Sequence, residues 1–210
     1  CGPGNNGGDG YIVARLAHEA GIKVRVCQVV SPKTDDAQRA LDQLNRRGVT
    51  VEPVNIETVG EAELVVDAVL GTGLSRLPSG VFRTAIQAIN ASGRPVLALD
   101  CPSGLDMDTG WTGGAAVQAT VTVTFICLKG GLLTGRAPDL TGDIVVECLE
   151  VPAAVLADVE PMACCISARI VQERLPARRR TLHKGEAGHL VVIGGDVSMA
   201  GAAQLAGTAA

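Results

Sequence analysis

Two aspartates of this sequence lie where a purely structural residue would be unusual. Asp67 lies inside the apolar run 64–70, and Asp100 follows the apolar run 95–99 and precedes Cys-Pro-Ser at 101–103. A buried carboxylate is costly unless hydrogen bonds, a counter-charge or a bound cation stabilise it. Asp67 is therefore a candidate cation ligand or, alternatively, an acceptor of backbone N–H groups that holds a loop. Asp100 is a candidate general acid/base, or an acid that closes an Asx-turn.

The oxygen atoms available to complete a site around Asp67 favour a monovalent cation over a transition metal. The Asn6 amide, the Ser103 hydroxyl and loop carbonyls are the candidate co-ligands, and all of them are hard, neutral donors. One carboxylate among neutral oxygens suits potassium, which coordinates carbonyl-type oxygens. Metal-ligand spacing is absent from the three histidines, His18, His183 and His189.

A glycine-rich stretch at 2–10 reads Gly-Pro-Gly-Asn-Asn-Gly-Gly-Asp-Gly and precedes an amphipathic run at 11–18. A glycine loop that opens a helix presents unpaired backbone N–H groups and a positive dipole end to an anion. Asn5, Asn6 and Asp9 add hydrogen-bonding groups that a simple turn would not require. A glycine-rich turn with a helix N-cap is the alternative interpretation.

The spacing of Gly2, Gly4 and Gly7 also matches the dinucleotide-binding fingerprint, which on its own is a weak signal. That fingerprint requires an acid about 20 residues further on, which binds a ribose hydroxyl. The strand predicted over 23–30 is followed by no acid before Asp35. A nicotinamide-dependent dehydrogenase is therefore an alternative that lacks its expected ribose ligand.

The elements that must position these residues alternate along the chain. Continuous apolar or β-branched runs predict strands, and apolar residues at helical spacing predict helices. The predicted strands are 23–30, 49–54, 64–70, 95–99, 119–126 and 143–149, and the predicted helices run from near Gly8 to Gly21, from Thr34 to Arg47 and from Gly80 to Ala91. This alternation predicts a doubly wound α/β fold with a mostly parallel sheet. Ligands of such sheets bind outside the carboxyl ends of the strands, so we expect the loops 2–10, 71–78 and 100–106 to meet in one crevice.

The composition restricts the class of protein. Of the 210 residues, 47% are hydrophobic and 2% are aromatic, and the net charge is −4 at pH 7. This favours a folded aliphatic core and gives no electrostatic drive for nonspecific binding of nucleic acid. No apolar run reaches the length of a membrane span. The seven cysteines contain no Cys-x-x-Cys pair and lie mostly in apolar runs, which predicts reduced, buried thiols in a cytoplasmic protein.

Lys129 follows the predicted strand 119–126 and precedes two glycines. A lysine at a strand end has three interpretations: it holds a phosphate, it pairs with an acid, or it is an ordinary exposed side chain. The sequence alone does not choose between them.

Four segments occur in an order that resembles one protein family. They are Gly-Pro-Gly-Asn-Asn-Gly-Gly-Asp-Gly at 2–10, Asp-Ala-Val-Leu-Gly-Thr-Gly-Leu-Ser-Arg at 67–76, Leu-Asp-Cys-Pro-Ser-Gly-Leu-Asp at 99–106 and Thr-Val-Thr-Phe-x-x-x-Lys-x-Gly-Leu at 122–132. Together they resemble the YjeF N-terminal domain family, the NAD(P)H-hydrate epimerases, over roughly residues 1–150. The resemblance implies a Rossmann-like three-layer α/β/α sandwich that is usually dimeric, with a helical segment and a first strand before Cys1.

The resemblance also implies a substrate, an ion and a catalytic residue. The family interconverts the R and S forms of hydrated NADH and NADPH, a repair reaction of nicotinamide nucleotides. Potassium would be ligated by Asn6, Asp67 and Ser103, and Asp100 would be the catalytic acid/base. The implied substrate-binding residues are Asn5, Asn6, Gly7, Gly8, Asp9, Gly71, Thr72, Gly73, Leu74, Ser75, Arg76, Leu77 and Asp100.

A second resemblance follows a change of composition after Val151-Pro152. The segment 183–205, which opens with His-Lys-Gly, resembles the start of the ribokinase-like, ADP- or ATP-dependent NAD(P)H-hydrate dehydratase domain. The expected organisation is an epimerase domain at 1–152, a linker at 153–180 and the opening of a dehydratase domain at 181–210. The nucleotide-binding segments of that domain are implied to follow Ala210, so we expect this chain not to bind ADP or ATP.

The expected partner is the small-molecule substrate, hydrated NADH or NADPH, with no nucleic acid and no membrane. The usual dimer of the family implies a homo-oligomer. A non-enzymatic protein- or RNA-binding scaffold is the alternative, because the same fold also serves in that role. The presence of Asn6, Asp67, Asp100 and Ser103 favours the enzyme.

Overall fold

A computed structural model describes residues 1–73, 77–175, 177, 179–186, 188–196 and 198–209, without the side chains of Ile56 and Lys184. Three predicted substrate-binding residues, Leu74, Ser75 and Arg76, lie outside the described residues. The chain divides into two compact units, Cys1–Glu160 and Pro161–Ala210. The division falls inside the predicted linker, and the domain bounds at 152 and 181 stay predictions.

The strands of the first unit form two parallel sheets. Their bounds are β1 (Val26–Gln28), β2 (Val51–Pro53), β3 (Val65–Asp67), β4 (Val96–Leu99), β5 (Val121–Phe125) and β6 (Asp143–Glu147). β1 pairs with β2, and the other four lie side by side in the order β3, β4, β5, β6, every pair being parallel. Each strand lies inside a run that the sequence predicts, because β-branched and aliphatic residues pack well on a pleated surface. The α/β fold with a parallel sheet is confirmed.

The first two residues of the chain lie between the two sheets. On one side, the nitrogen of Cys1 donates to the Cys27 carbonyl at 2.7 Å, and Val29 N–H donates to the Cys1 carbonyl at 2.9 Å. On the other side, Gly2 N–H donates to the Ala68 carbonyl at 2.8 Å. The glycine-rich stretch therefore starts at the same edge at which β1 and β3 end.

The helices of the first unit are α1 (Asn5–Glu19), α2 (Asp35–Arg46), α3 (Ile56–Gly60), α4 (Val81–Ala91) and α5 (Ala153–Ala157). α2 begins where the sequence predicts it, because Thr34 acts as its N-cap: the Thr34 hydroxyl accepts from Ala37 N–H at 3.4 Å. α1 begins at Asn5, three residues before the predicted start. The sequence analysis did not predict α3, because five residues are too few to show a helical period.

Aliphatic residues dominate the core, as the low aromatic content predicts. α1 and α2 pack with β1 through a cluster that contains Tyr11 and Leu44, both fully buried. α4 packs near β3 and β4 through a second cluster that contains Ile86 and Val96. A third cluster, around Leu105 and Leu132, lies under the loop that follows β4. This loop is therefore anchored by buried side chains, although it contains no regular element.

The prediction that the cysteines are buried is wrong for most of them. The structure has no disulfide among the seven thiols, and only Cys101 is buried, whereas Cys1 and Cys27 are half-buried. Cys148 directly follows β6, and Cys127 lies two residues after β5, where the chain has already left the sheet. The exposed cysteines are Cys127, Cys148, Cys164 and Cys165.

The second unit contains α6 (Ala168–Arg174), α7 (Gly201–Ala209) and a short 3-10 turn at Lys184–Glu186. The Ser167 hydroxyl caps α6 by accepting from Ile170 N–H at 3.3 Å. The apolar residues 190–193 are exposed and form no strand in the described part of this unit.

No helix among the residues that the structure describes is both long enough and apolar enough to cross a membrane.

Candidate functional site

The start of α1 presents backbone donors rather than a capping side chain. Gly4 precedes the helix in an extended conformation, and no side chain among the described residues caps it. The first N–H groups of an α-helix have no partner within the helix and can bind an anion. Gly7 also packs against the carbonyl of Gly2, so that a Cβ at position 7 would overlap backbone atoms. The glycine at this position is therefore required by close packing.

Residues of two predicted loops, 2–10 and 100–106, contact the backbone of Leu70, which lies three residues after the end of β3 and just before the third loop, 71–78. The carbonyl of Leu70 accepts from Asn6 Nδ2 at 2.9 Å, so it is bound by the first loop. It also lies 3.2 Å from the hydroxyl of Ser103, while Leu70 N–H donates to that hydroxyl at 2.8 Å. The structure therefore brings Asn6, Leu70 and Ser103 together at one edge of the sheet, and the single crevice formed by the three loops stays a prediction. The sequence analysis did not single out Leu70, because a backbone carbonyl has no signature in the sequence.

Asp67 is the fully buried carboxylate at the end of β3. Its Oδ1 accepts from the Ser103 hydroxyl at 2.6 Å and from Val69 N–H at 3.2 Å, and its Oδ2 accepts from Ser103 N–H at 2.8 Å. Burial raises the pKa of Asp67, and the hydrogen bonds from Ser103 oppose that rise. The interpretation of Asp67 as an acceptor of N–H groups is therefore confirmed, and the Ser103 hydroxyl that contacts Asp67 also lies near the Leu70 carbonyl.

The donor set around Asn6 fits a monovalent cation. The amide oxygen Oδ1 of Asn6 is buried and has no hydrogen-bond partner, whereas Nδ2 is bound to Leu70. A buried polar atom without a partner costs about 1–3 kcal/mol, and a cation contacting it would remove that cost. The oxygens of Asp67, Ser103 and Leu70 lie in the same hydrogen-bonded group. Within the described ranges, no three His, Cys, Asp or Glu side chains are grouped as a metal site.

Asp100 directly follows β4 and has a left-handed backbone, with φ of +65°. Its N–H donates to the Val123 carbonyl at 2.7 Å, which fixes the residue to β5. Lys129 Nζ lies 2.6 Å from Asp100 Oδ1, and both side chains are mostly buried. Of the three interpretations of Lys129, the structure therefore shows the pairing with an acid.

Asp9 brings a second carboxyl group close to Asp100. It lies in the second turn of α1 and is half-buried. Burial raises the pKa of Asp9, and the negative charge of Asp100 raises it further. The two acids therefore act on each other electrostatically at the edge where the three loops meet.

The other predicted substrate-binding residues differ in exposure. Gly7 and Gly8 are buried in α1, and Gly71 lies against Asn6. The exposed members of the set are Asn5, Thr72, Gly73 and Leu77. The glycines thus provide close packing and backbone donors, while the exposed residues are accessible to a ligand.

A parallel α/β sheet with a glycine-rich stretch and two further strand-end segments at one edge defines the class of Rossmann-like α/β proteins. A family model described as "YjeF-related protein N-terminus" matches residues 1–131. The chain belongs to this family.

Curated relatives match over almost the whole chain. The chain is 43% identical to the bifunctional NAD(P)H-hydrate repair enzyme Nnr of Escherichia coli, and the match covers 100% of this chain and 41% of that protein. It is 40% identical to the bifunctional NAD(P)H-hydrate repair enzyme of Leishmania braziliensis, over 96% of this chain and 38% of that one. The chain therefore spans about two fifths of the length of these relatives.

The fold also has a solved relative. The crystal structure of yeast ynu0, YNL200c, matches with a TM-score of 0.65 at 25% identity, and covers 78% of this chain and 71% of the yeast chain.

Proposed function

We propose that this chain carries an NAD(P)H-hydrate epimerase, which interconverts the R and S forms of hydrated NADH and NADPH. The observation that carries the proposal is the Asp100 carboxylate, whose Oδ1 is held by Lys129. This carboxylate follows β4 at the edge of the sheet where the glycine-rich stretch 2–10 contacts Leu70. Its Oδ2 accepts no hydrogen bond from the described residues and is available to a substrate. Family membership and the names of the curated relatives support the same activity.

In this proposal the nucleotide lies across the carboxyl ends of the strands. Asn5 to Asp9 bind it through the open N–H groups of α1 and through their side chains. Residues 71–77 bind the remainder of the nucleotide, chiefly through backbone N–H groups. Asp100 contacts the hydrated nicotinamide ring.

The reaction inverts the configuration at one ring carbon and moves a proton to and from the oxygen on that carbon. C6 of the hydrated nicotinamide bears a hydroxyl next to the ring nitrogen, whose lone pair assists loss of that hydroxyl. The Asp100 carboxyl group supplies the proton with which the hydroxyl leaves as water, water then adds to the other face of the planar iminium, and the Asp100 carboxylate takes a proton back. Asp100 transfers these protons, a role for which a strand-end carboxylate with one free oxygen is suited.

Potassium is the proposed cofactor, with Asn6, Asp67 and Ser103 as the residues that would hold it. When bound, it would supply a positive charge beside the nucleotide. The unpartnered Asn6 oxygen and the buried Asp67 carboxylate support this assignment. The residues themselves orient the loops through the Leu70 carbonyl.

We further propose that the whole protein is bifunctional and also dehydrates the S form with ADP or ATP. The names of the relatives support this, since the chain spans about two fifths of their length. The motif at 183–205 is then the opening of the dehydratase domain. We propose that the protein acts in the cytoplasm and associates into a homo-oligomer. Its proposed partner is the hydrated nucleotide, and neither nucleic acid nor a membrane is an expected partner.

The decisive experiment follows a single epimer. Purified R-form hydrated NADH is incubated with the full-length protein in potassium buffer without ADP or ATP, and the epimer ratio is followed by chromatography. We expect conversion well above the spontaneous rate, and a loss of about 100-fold or more in kcat for Asp100→Asn. Asp108→Asn, which changes an exposed acid of the same loop, is the matched control and should keep full activity.

Two results would contradict the proposal. Conversion by the wild-type protein at the spontaneous rate would remove the epimerase function and leave the fold as a binding scaffold. An active Asp100→Asn variant would remove the acid/base role of Asp100 while leaving the epimerase function in place.

A further inference from the structure

All three N–H donors of the Lys129 ammonium group have an acceptor. Nζ lies 2.6 Å from Asp100 Oδ1, 2.8 Å from Thr124 Oγ1 and 2.7 Å from the Phe125 carbonyl. An ammonium group has three N–H bonds and no acceptor, so this set of contacts is complete. Lys129 therefore has no donor left for a phosphate or for another group of a substrate.

The acceptors of Lys129 belong to the rigid part of the fold. Thr124 and Phe125 are the last two residues of β5, and the Thr124 side chain is fully buried. Asp100 is fixed to the same strand by its backbone bond to Val123. The position of the ammonium group is therefore set by the sheet rather than by a loop.

The contacts of the Asp100 carboxylate are asymmetric. Oδ1 receives the ammonium of Lys129 and lies 3.5 Å from Phe125 N–H, whereas Oδ2 has no hydrogen-bond partner among the described residues. One oxygen is thus held in place, and the other is the oxygen that can exchange a proton.

The groups near Asp100 carry charges of both signs. Asp9 lies on α1 on one side, and the buried thiol of Cys101 is the adjacent residue. The charge of Asp67 also reaches Cys101. Lys129 is the cation whose charge opposes those of the two acids at this edge, within the described residues. Removing it would take away the ion pair that fixes Oδ1 of Asp100.

We propose that Lys129 is the positioning residue of the acid/base, an inference that rests on the proposed epimerase function. Its ammonium holds Oδ1 of Asp100 in place, which leaves Oδ2 to exchange the proton with the substrate. Lys129 acts through Asp100 and does not touch the substrate.

The test splits kcat from KM in the full-length protein. For Lys129→Met we expect kcat to fall about 100-fold with KM changed less than about threefold, because an interaction of the reacting group is lost rather than substrate binding. Lys129→Arg keeps a charged donor for Asp100 and should restore most of kcat.

Two further variants complete the design. Lys23→Met removes an exposed lysine without an ion pair in the described structure, and we expect it to leave both kcat and KM unchanged. Thr124→Val removes one acceptor and keeps the charge, so kcat should fall by a smaller factor, about 3- to 10-fold, at unchanged KM. This second variant tests the inference even if Lys129→Met does not fold.

The outcomes separate the inference from the function. A folded Lys129→Met enzyme with wild-type kcat or with an effect on KM alone overturns the positioning role, and so does a Lys129→Arg enzyme that is as slow as Lys129→Met. A wild-type enzyme without epimerase activity overturns the proposed function instead.

Discussion

Ser103 binds both oxygens of the Asp67 carboxylate. Its hydroxyl lies 2.6 Å from Oδ1 and its N–H lies 2.8 Å from Oδ2, and both residues are fully buried. Asp67 ends β3 and Ser103 lies in the turn after β4, so the pair joins two neighbouring loops at the edge of the sheet. The orientation of the carboxylate is therefore set by the protein before any ligand binds.

Potassium should stabilise the protein through this pair and Asn6. A ligand at ten times its Kd stabilises the folded state by about 1.4 kcal/mol, which corresponds to a rise in Tm of about 3–6 °C for a chain of this size. We expect this rise in potassium chloride relative to tetramethylammonium chloride at equal ionic strength, measured by differential scanning fluorimetry. Asp67→Asn should abolish the difference, whereas Asp108→Asn should keep it. An equal rise in both variants would show that potassium does not bind at Asp67.

Asp9→Asn should make the protein more stable at neutral pH. The pKa of Asp9 is raised above its ordinary value of 3.8, so ionisation costs more in the folded chain than in the unfolded chain. The stability that Asp9 contributes is therefore complete below that ordinary value and is lost as the pH rises through the folded-state pKa. The asparagine does not titrate and avoids this loss.

The measurement is urea unfolding of both proteins at acid and neutral pH. The free energy of unfolding of Asp9→Asn should exceed that of the wild type at pH 7, and the excess should shrink towards pH 3. An excess that stays constant with pH would contradict the raised pKa of Asp9.

Gly7→Ala should destabilise the protein although alanine is the better helix former. Alanine is favoured over glycine inside a helix by about 1 kcal/mol, but a Cβ at position 7 would overlap the carbonyl of Gly2. Gly60, in α3, has open space around the corresponding position and is the matched control. We expect Gly60→Ala to raise the midpoint of urea unfolding and Gly7→Ala to lower it. A stabilised Gly7→Ala variant would show that the Gly2 backbone can move away.

Tyr11 should ionise only in strongly alkaline solution. It is the single tyrosine of the chain, it is fully buried, and its hydroxyl donates to Gln28 Oε1 at 3.1 Å. Burial raises the pKa of Tyr11 to about 12. Because the folded-state pKa lies above the ordinary value, the stability contributed by Tyr11 is complete below pH 10 and is lost above it.

A pH titration followed by the ultraviolet absorbance of tyrosinate checks this prediction directly. We expect no band until about pH 12 or until the chain unfolds, and no band at all in Tyr11→Phe. A titration centred near pH 10 in the folded protein would place Tyr11 in contact with water.

Most of the fold could be predicted because its signals are local. The run around Asp67 and the run before Asp100 are apolar enough to be read as strands. The apolar positions of α2, at Ala37, Ala40, Leu41 and Leu44, repeat at helical spacing. The exposure of Cys127 could not be predicted in this way, because it depends on where β5 leaves the sheet. The pattern of side chains does not determine that point to a single residue.

The candidate site was predicted in part. The meeting of Asn6, Asp67 and Ser103 followed from the rule that parallel strands bring their carboxyl ends to one edge. The role of Lys129 did not follow, because its three acceptors include a backbone carbonyl and a hydroxyl that give no signal in sequence. The unpartnered oxygen of Asn6 likewise depends on the side-chain amide being turned towards Leu70.

The parallel pairing of the strands has a consequence for how the chain folds. Val26 pairs with Val51 and Val65 pairs with Val96, so that more than 20 residues separate the partners along the chain. No described strand pair is a hairpin that could form early from neighbouring residues. Large loops must close before such strand pairs can form, and the chain entropy lost in closing them makes folding slow. Refolding should therefore be slow, and the apolar strands should be exposed to aggregation until the sheet closes.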